Sequence, residues 1–234
     1  MSNFDVVNSN RGTFIVNKHD THQYQPLKTN GTTHIENEID HILDIIATLP
    51  KQEVFVDAGA NIGLITISVA KHFKGKVLSF EPQPVIYNCL CGNIVLNDLS
   101  NVVPYNIGLG DKSCNMIVPN IDYTIARDFG DVRLRPLMYS GTEVNVQPLS
   151  HITDTIDFLK IDVEGMEQSV LAGAESLITK SRPWCWIEHF QSDLNALVQF
   201  FKSKQYRVYK VKDDSANIVA CPNNHTFQWM GDEL

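Results

Sequence analysis

The chain is 234 residues long, 43 % apolar and 20 % charged, enough to bury one substantial core in a single domain. Its formal charge of −8, with no long basic run, argues against a nucleic-acid binder, because affinity for phosphate backbones comes from clustered Lys and Arg. No apolar run is long enough to span a membrane and the first residues are polar, so neither a membrane partner nor a secretory leader is expected, and a cytoplasmic location follows.

Residues 1–34 read as an N-terminal arm. Within it, residues 11–16 suit an edge strand or an arm exchanged in a homodimer, and the oligomeric state stays open. Residues 35–234 read as the main domain, with an insertion at about 112–150. Residues 35–49 carry apolar side chains at 39, 42, 43, 46 and 49, a helical stripe that Pro50 stops. A β-run over 53–57 then ends on Asp57 and turns through Gly59-Ala60-Asn61-Ile62-Gly63 into a helix over about 64–72. Glycine there permits positive φ and close backbone approach, while the N–H groups that open the helix offer a cradle for a ligand.

A second strand, 76–81, ends on Glu81, placed to accept hydrogen bonds from ribose hydroxyls. A helix over 84–96 leads to a third strand, 102–107, which runs out through Asn106 toward Asp111. From 112 to 150 the periodicity breaks, with β-like pieces at 116–119 and 143–146 among Arg127, Arg133, Arg135, Tyr123 and Tyr139. A stretch of this kind is a lid or a set of short strands, and its arginines and tyrosines would suit an anionic or carbohydrate acceptor. Alternation resumes with a strand over 157–162, a helix over 166–178, a strand over 183–189, a helix over 194–202, and a hairpin of 206–211 with 217–221 about a turn at 212–216. The pattern is α/β and Rossmann-like, with a mostly parallel sheet, helices on both faces and one antiparallel strand.

In such sheets ligands bind at the carboxyl ends of the strands. Here those ends carry Asp57, Glu81, Asp111, Asp162 with Glu164, and Glu188 with His189. The loop has two glycines four apart and no third in register, which departs from the GxGxxG dinucleotide fingerprint. An NAD-dependent oxidoreductase is the alternative reading, without an evident hydride-transfer pair. A cofactor-binding module without catalysis is a third. The five cysteines are scattered and lack zinc spacing, so they read as reduced packing residues.

The motifs VDAGANIG at 56–63, FEPQP at 80–84, LKIDVEGME at 159–167 and WIEH at 186–189, and more weakly KHD at 18–20, resemble the FkbM-type S-adenosylmethionine-dependent methyltransferases. The resemblance implies a class I methyltransferase fold of seven strands with the last antiparallel, and S-adenosylmethionine as cofactor. It implies that Gly59, Asn61 and Gly63 cradle the methionine part, with Asp57 bracing the loop or meeting the amino group, that Glu81 holds the ribose, that Asn106 and Asp111 lie near adenine, and that Glu38 faces the cofactor. O-methylation of a hydroxyl on a sugar or small secondary metabolite is the activity implied. A neutral alcohol must lose its proton, a task for carboxylate or imidazole, and Asp162, Glu164 and His189 are assigned to it. These three are also ligand types for Mg²⁺ or Mn²⁺, although no metal is expected.

Overall fold

A computed structural model describes residues 2–212, 214–222 and 224–234. The chain runs through β1 (Phe4–Asn8), β2 (Thr13–Asn17), α1 (Glu36–Thr48), β3 (Val54–Ala58), α2 (Leu64–Ala70), β4 (Lys76–Phe80), α3 (Pro84–Leu96), β5 (Val102–Tyr105) and β6 (Gly108–Leu109). It continues with β7 (Cys114–Pro119), β8 (Gly141–Gln147), β9 (Phe158–Ile161), α4 (Glu167–Gly173), α5 (Glu175–Ser181), β10 (Trp184–Glu188), α6 (Leu194–Ser203), β11 (Arg207–Val211), β12 (Asp214–Cys221) and β13 (Met230–Glu233). Among the described residues no helix is long and apolar enough to cross a membrane.

The main sheet has the order β13-β11-β12-β10-β9-β3-β4-β5. Strands β5, β4, β3, β9 and β10 pair in parallel, and β12, seventh of the sheet in chain order, inserts antiparallel between β10 and β11. An eighth strand, β13, adds to the margin of β11. Its MGDE sequence has no apolar alternation and gave no strand signal. The central strands are buried along their whole length because helices cover both faces, which is why they read as continuous apolar runs. Alternation splits their side chains: Phe55, Phe158 and Trp186 pack under α1 and α2, whereas Val56, Leu159 and Ile187 pack under α4, α5 and α6.

The helix expected over 166–178 is two, broken at Ala174. Gly173 ends the first of them, and a Cβ there would lie 1.9 Å from the carbonyl oxygen of Gly110, so the chain presses backbone to backbone at that point. The turn before β12 is tighter than expected, because Asp214 already pairs with Val211, and Asp213 of the anticipated turn lies outside the described residues.

The insertion is partly sheet and partly cover. β7 and β8 pair antiparallel, β6 joins β8 in parallel, and the segment between β7 and β8 folds back over the carboxyl ends of the main strands. The N-terminal residues form a β1–β2 hairpin seated on α3. There Asn93 accepts the Ile15 N–H at 2.6 Å and donates to the Ile62 carbonyl at 2.8 Å, and Asn97 receives the Thr13 N–H at 3.1 Å. Val7, Phe14, Val16 and Leu27 are buried in the same cluster as Ile62, Leu64, Ile67 and Leu90.

Because Phe14 is fully buried in that shared cluster, Phe14→Ala is expected to lower global stability by about 3–5 kcal/mol. Urea unfolding checks this. A loss confined to local fraying of the first residues would mean that the hairpin is an independent arm.

Candidate functional site

The carboxyl ends of β3, β4, β9 and β10 meet at one edge of the sheet, where the chain leaves β3 with β4 on one side and β9 on the other. The loop after β3 is fixed from three directions. Gly59 and Ala60 donate to the Phe80 carbonyl at 3.0 and 2.9 Å. Gly59, Asn61 and Gly63 have φ of 82°, 51° and 94°, the left-handed region that favours glycine. A Cβ on Gly59 would lie 1.7 Å from the Asp162 carbonyl oxygen, so the loop rests directly on the backbone that follows β9.

Glu81 fixes the loop from the third side: its two oxygens accept the N–H groups of Asn61 at 2.9 Å and Gln83 at 2.8 Å. Burial pushes its carboxyl up to about 7, against the pull of those hydrogen bonds. Asp57 is fully buried, with one oxygen accepting the Thr66 hydroxyl at 2.6 Å and the other accepting no hydrogen bond, 3.3 Å from Lys160 Nζ.

Lys160 was not among the residues expected at the site. It is 3 % exposed and donates to the Gly59 carbonyl at 2.9 Å and to Asp162 at 3.3 Å. Burial alone would lower its ammonium, but the charges of Asp162, Asp57 and Glu38 outweigh that and hold it above the usual lysine range.

Two connected clefts open over these groups. The first, about 620 Å³ and open to solvent, has Glu81 on one wall and the apolar side chains of Ile107, Leu109, Leu134 and Met166 among the rest of its lining. The second, about 690 Å³, is acidic, with Glu38, Asp128, Asp162, Glu164 and Glu188 around Lys160. Gly59, Asn61, Gly130, Asp162 and Glu164 belong to both. Burial, then the neighbouring charge of Asp162, pushes Glu164 up to about 8. Glu38 is pushed to about 8 by burial, less the pull of Lys160. Glu188 is also raised, by burial and by sharing a hydrogen bond with Asp162.

Of the residues expected from sequence, Asp57, Gly59, Asn61, Glu81, Glu38, Asp162 and Glu164 gather here, and Gly63 opens α2 beside them. Three do not. His189 lines neither cleft; it follows Glu188 along extended chain and so emerges on the opposite side, leaving Glu188 as the inward group. Asn106 lines neither cleft and braces the backbone, donating to the carbonyls of Glu81 at 2.8 Å and Pro82 at 3.1 Å. Asp111 accepts the Ser169 hydroxyl at 3.0 Å on a separate groove with Pro148 and His151, because β6 carries the chain past the cleft before that residue is reached.

The arginines of the insertion are also elsewhere. Arg127 spends its guanidinium on the Asp128 and Asp131 carbonyls, Arg135 lies over the Tyr139 ring, and neither lines a cleft. Ile107, Leu134 and Met166, which the sequence did not single out, form an apolar wall of the first cleft. Carboxylate oxygens of Asp162, Glu164 and Glu188 lie within 4.8 Å of one another, a donor set of the kind a divalent cation takes. Lys160 already supplies positive charge there, 3.3 Å from Asp162.

Glu38 and Glu164 titrate near 8 in the folded protein against an ordinary value of 4.5, so folding favours their protonated forms. Their contribution to stability is complete below the unfolded value and is lost as pH rises through the folded one. The unfolding free energy of the ligand-free protein is therefore expected to fall between about pH 4.5 and 8, and Glu38→Gln to flatten part of that fall. Urea midpoints measured across the window check it.

Comparison with known proteins agrees with this geometry. The model of the methyltransferase FkbM domain matches residues 57–208. The chain is 29 % identical over 202 residues to methyltransferase sdnD of Sordaria araneosa, covering 72 % of this chain and 73 % of that protein. The crystal structure of methyltransferase FkbM from Methylobacillus flagellatus superposes with a TM-score of 0.52 at 21 % identity, over 73 % of this chain but only 43 % of that one. A tRNA m1G37 methyltransferase of M. jannaschii shares the fold, with a TM-score of 0.53 at 14 % identity over 93 % of this chain and 55 % of that one. With a glycine-turned loop after β3, a buried acid after β4 and a class I sheet, the chain belongs to the FkbM methyltransferase domain family and is an S-adenosylmethionine-dependent methyltransferase.

Proposed function

We propose that the protein methylates a hydroxyl of a sugar or other small metabolite. The observation that carries this reading is that Asp162 and Glu164 line both clefts, so acidic groups stand where a cofactor half-site and an acceptor half-site join. In this reading Glu81 takes the ribose hydroxyls on the lone pairs its backbone donors leave, and Ile107, Leu134 and Met166 flank the adenine. Gly59, Asn61 and Gly63 hold the methionine part, with Glu38 facing it from α1. The second oxygen of Asp57 accepts no hydrogen bond and already has the Lys160 ammonium 3.3 Å away, so Asp57 braces the loop through that charge.

When bound, the cofactor supplies a methyl carbon that takes an acceptor lone pair as the carbon–sulfur electrons return to sulfur. The chain has to align the hydroxyl and receive its proton. Glu164 is the base in this proposal. Asp162 is committed to Lys160 and Glu188 shares a hydrogen bond with Asp162, whereas Glu164, itself at a left-handed φ of 57°, accepts the Gln191 amide at 2.5 Å and, among the described residues, has no ion-pair partner. A carboxylate raised to about 8 accepts a proton more readily than an ordinary one, late in the transfer, when the oxygen has become acidic. Net charge and the acidic cleft favour a small acceptor over a nucleic acid.

Glu164→Gln is expected to lower kcat by roughly 10²- to 10⁴-fold while S-adenosylhomocysteine affinity changes little, and His189→Ala to leave kcat nearly unchanged. The wild-type rate should rise with pH through about 8. Transfer of labelled methyl to a panel of glycosides and small alcohols, with products identified by mass, measures all three. A Glu164→Gln enzyme of full activity would remove that residue from the chemistry. Gly59→Ala is expected to weaken S-adenosylhomocysteine binding at least roughly tenfold, since the added methyl collides with Asp162 backbone at a left-handed φ. Titration calorimetry reads it.

A further inference from the structure

The acidic cleft is roofed by two segments far apart in sequence. Residues 17–22 and 123–128 are stitched together: Asn17 donates its amide to the Tyr123 carbonyl at 3.0 Å, Thr21 N–H to Arg127 at 3.0 Å, and Arg127 N–H to His19 at 3.1 Å. His22 Nδ1 lies 2.9 Å from Asp128 Oδ2. Buried Asp20 holds the turn by accepting the N–H groups of His22 and Gln23, both at 2.9 Å. The turn delivers Gln23 to the cleft lining, 4 % exposed, with its Oε1 buried and without a hydrogen-bond partner. A buried amide oxygen left unpaired costs free energy comparable to a lost hydrogen bond, and a ligand that donates to it recovers that cost.

The rest of the polar lining is mostly carboxyl, beside the imidazoles of His22, already on Asp128, and His34. Asp128, Asp162, Glu164, Glu188 and Glu38 are acceptors when ionised, and the Lys160 ammonium is already directed at Gly59, Asp57 and Asp162. Arg127, which the sequence offered as an anion ligand, is turned away onto backbone carbonyls. Where these acids are ionised, an incoming anion would meet like charge, with the His22 and His34 imidazoles among the few side-chain donors. A ligand rich in O–H or N–H would satisfy Gln23 and, by donating to the carboxylates, favour their ionised forms.

We infer that this roofed cavity is the acceptor subsite and that it admits acceptors presenting several hydroxyl or amine hydrogens while rejecting carboxylate- and phosphate-bearing ones, with Gln23 and Asp128 as the discriminating side chains. The inference rests on the methyltransferase reading of the site and adds the class of acceptor.

The test uses the full chain saturated with S-adenosylhomocysteine, at about pH 9, so that Glu38 and Glu164 are mostly charged. Three matched probes are titrated: methyl glucoside, methyl glucosaminide and methyl glucuronide. The neutral and amino glycosides are expected to bind, and the glucuronide at least roughly tenfold more weakly. Asp128→Asn, which keeps the side-chain oxygen bonded to Gly130 N–H at 2.7 Å, should narrow that gap, and Gln23→Leu should weaken the two binders several-fold without altering S-adenosylhomocysteine affinity. A glucuronide that binds as well as the glucoside, variants that leave the gap and the affinities unchanged, or three inert probes would each overturn the inference while leaving cofactor binding intact. Failure of S-adenosylhomocysteine itself to bind would instead strike the reading on which it rests.

Discussion

One buried ammonium organises the working end of this molecule. Lys160 sits on β9 between Leu159 and Ile161, whose side chains enter the core under α4 to α6, so alternation sends the lysine to the opposite face, beneath the loop after β3. There it ties the Gly59 carbonyl to Asp57 and Asp162, with Glu38 reaching in from α1. Burial alone would drive a lysine this deep toward its neutral form, and the neighbouring acids more than offset that, so the ammonium is what keeps its charge here. Two strand-loop junctions and the first helix are thereby held to a common centre. The glycine at 59 is a consequence of that centre, since only a residue without Cβ lets the loop lie against the Asp162 carbonyl.

The clefts inherit their characters from this arrangement. On the β4 side the walls are apolar and end on Glu81, already half-satisfied by backbone donors and so rigid before any ligand arrives. On the β10 side carboxyl groups accumulate with one ammonium among them, and their proton affinities rise together. Methyl transfer from a sulfonium asks little covalent chemistry of a protein, and preorganised charge with a positioned proton acceptor meets most of the need.

Much of this was legible in the sequence where a local rule and the tertiary demand coincide. The positions of Asp57, Gly59, Asn61 and Glu81 follow from strand-to-loop grammar, and the parallel core strands announce themselves as unbroken Val, Ile and Phe runs. What escaped was set by orientation in space. Between Glu188 and His189 the choice depends on which side of an extended chain faces the cleft, and a histidine's chemical promise says nothing about that. Lys160 was hidden inside an apolar strand, where a charged residue reads as a boundary feature until its partners from β3 are brought alongside. Asp111 was misplaced because β6, two residues of Gly and Leu, leaves too faint a pattern to show that the chain had moved on. The stitching of residues 17–22 to 123–128 has no sequence signature at all, being backbone hydrogen bonding across a hundred positions.

The margins of the main sheet bear on how copies of this protein can meet. At one side β5 has Pro104 as the third of its four residues, a position with no amide hydrogen to lend to a ladder. At the other, β13 is four residues long, ends on Asp232 and Glu233, and has Arg207 drawn across to Glu233 at 2.6 Å. Short, charged or proline-bearing rims discourage strand-on-strand addition. Self-association that continued the main sheet from molecule to molecule is thus disfavoured at both ends, leaving that sheet's length a property of the single chain.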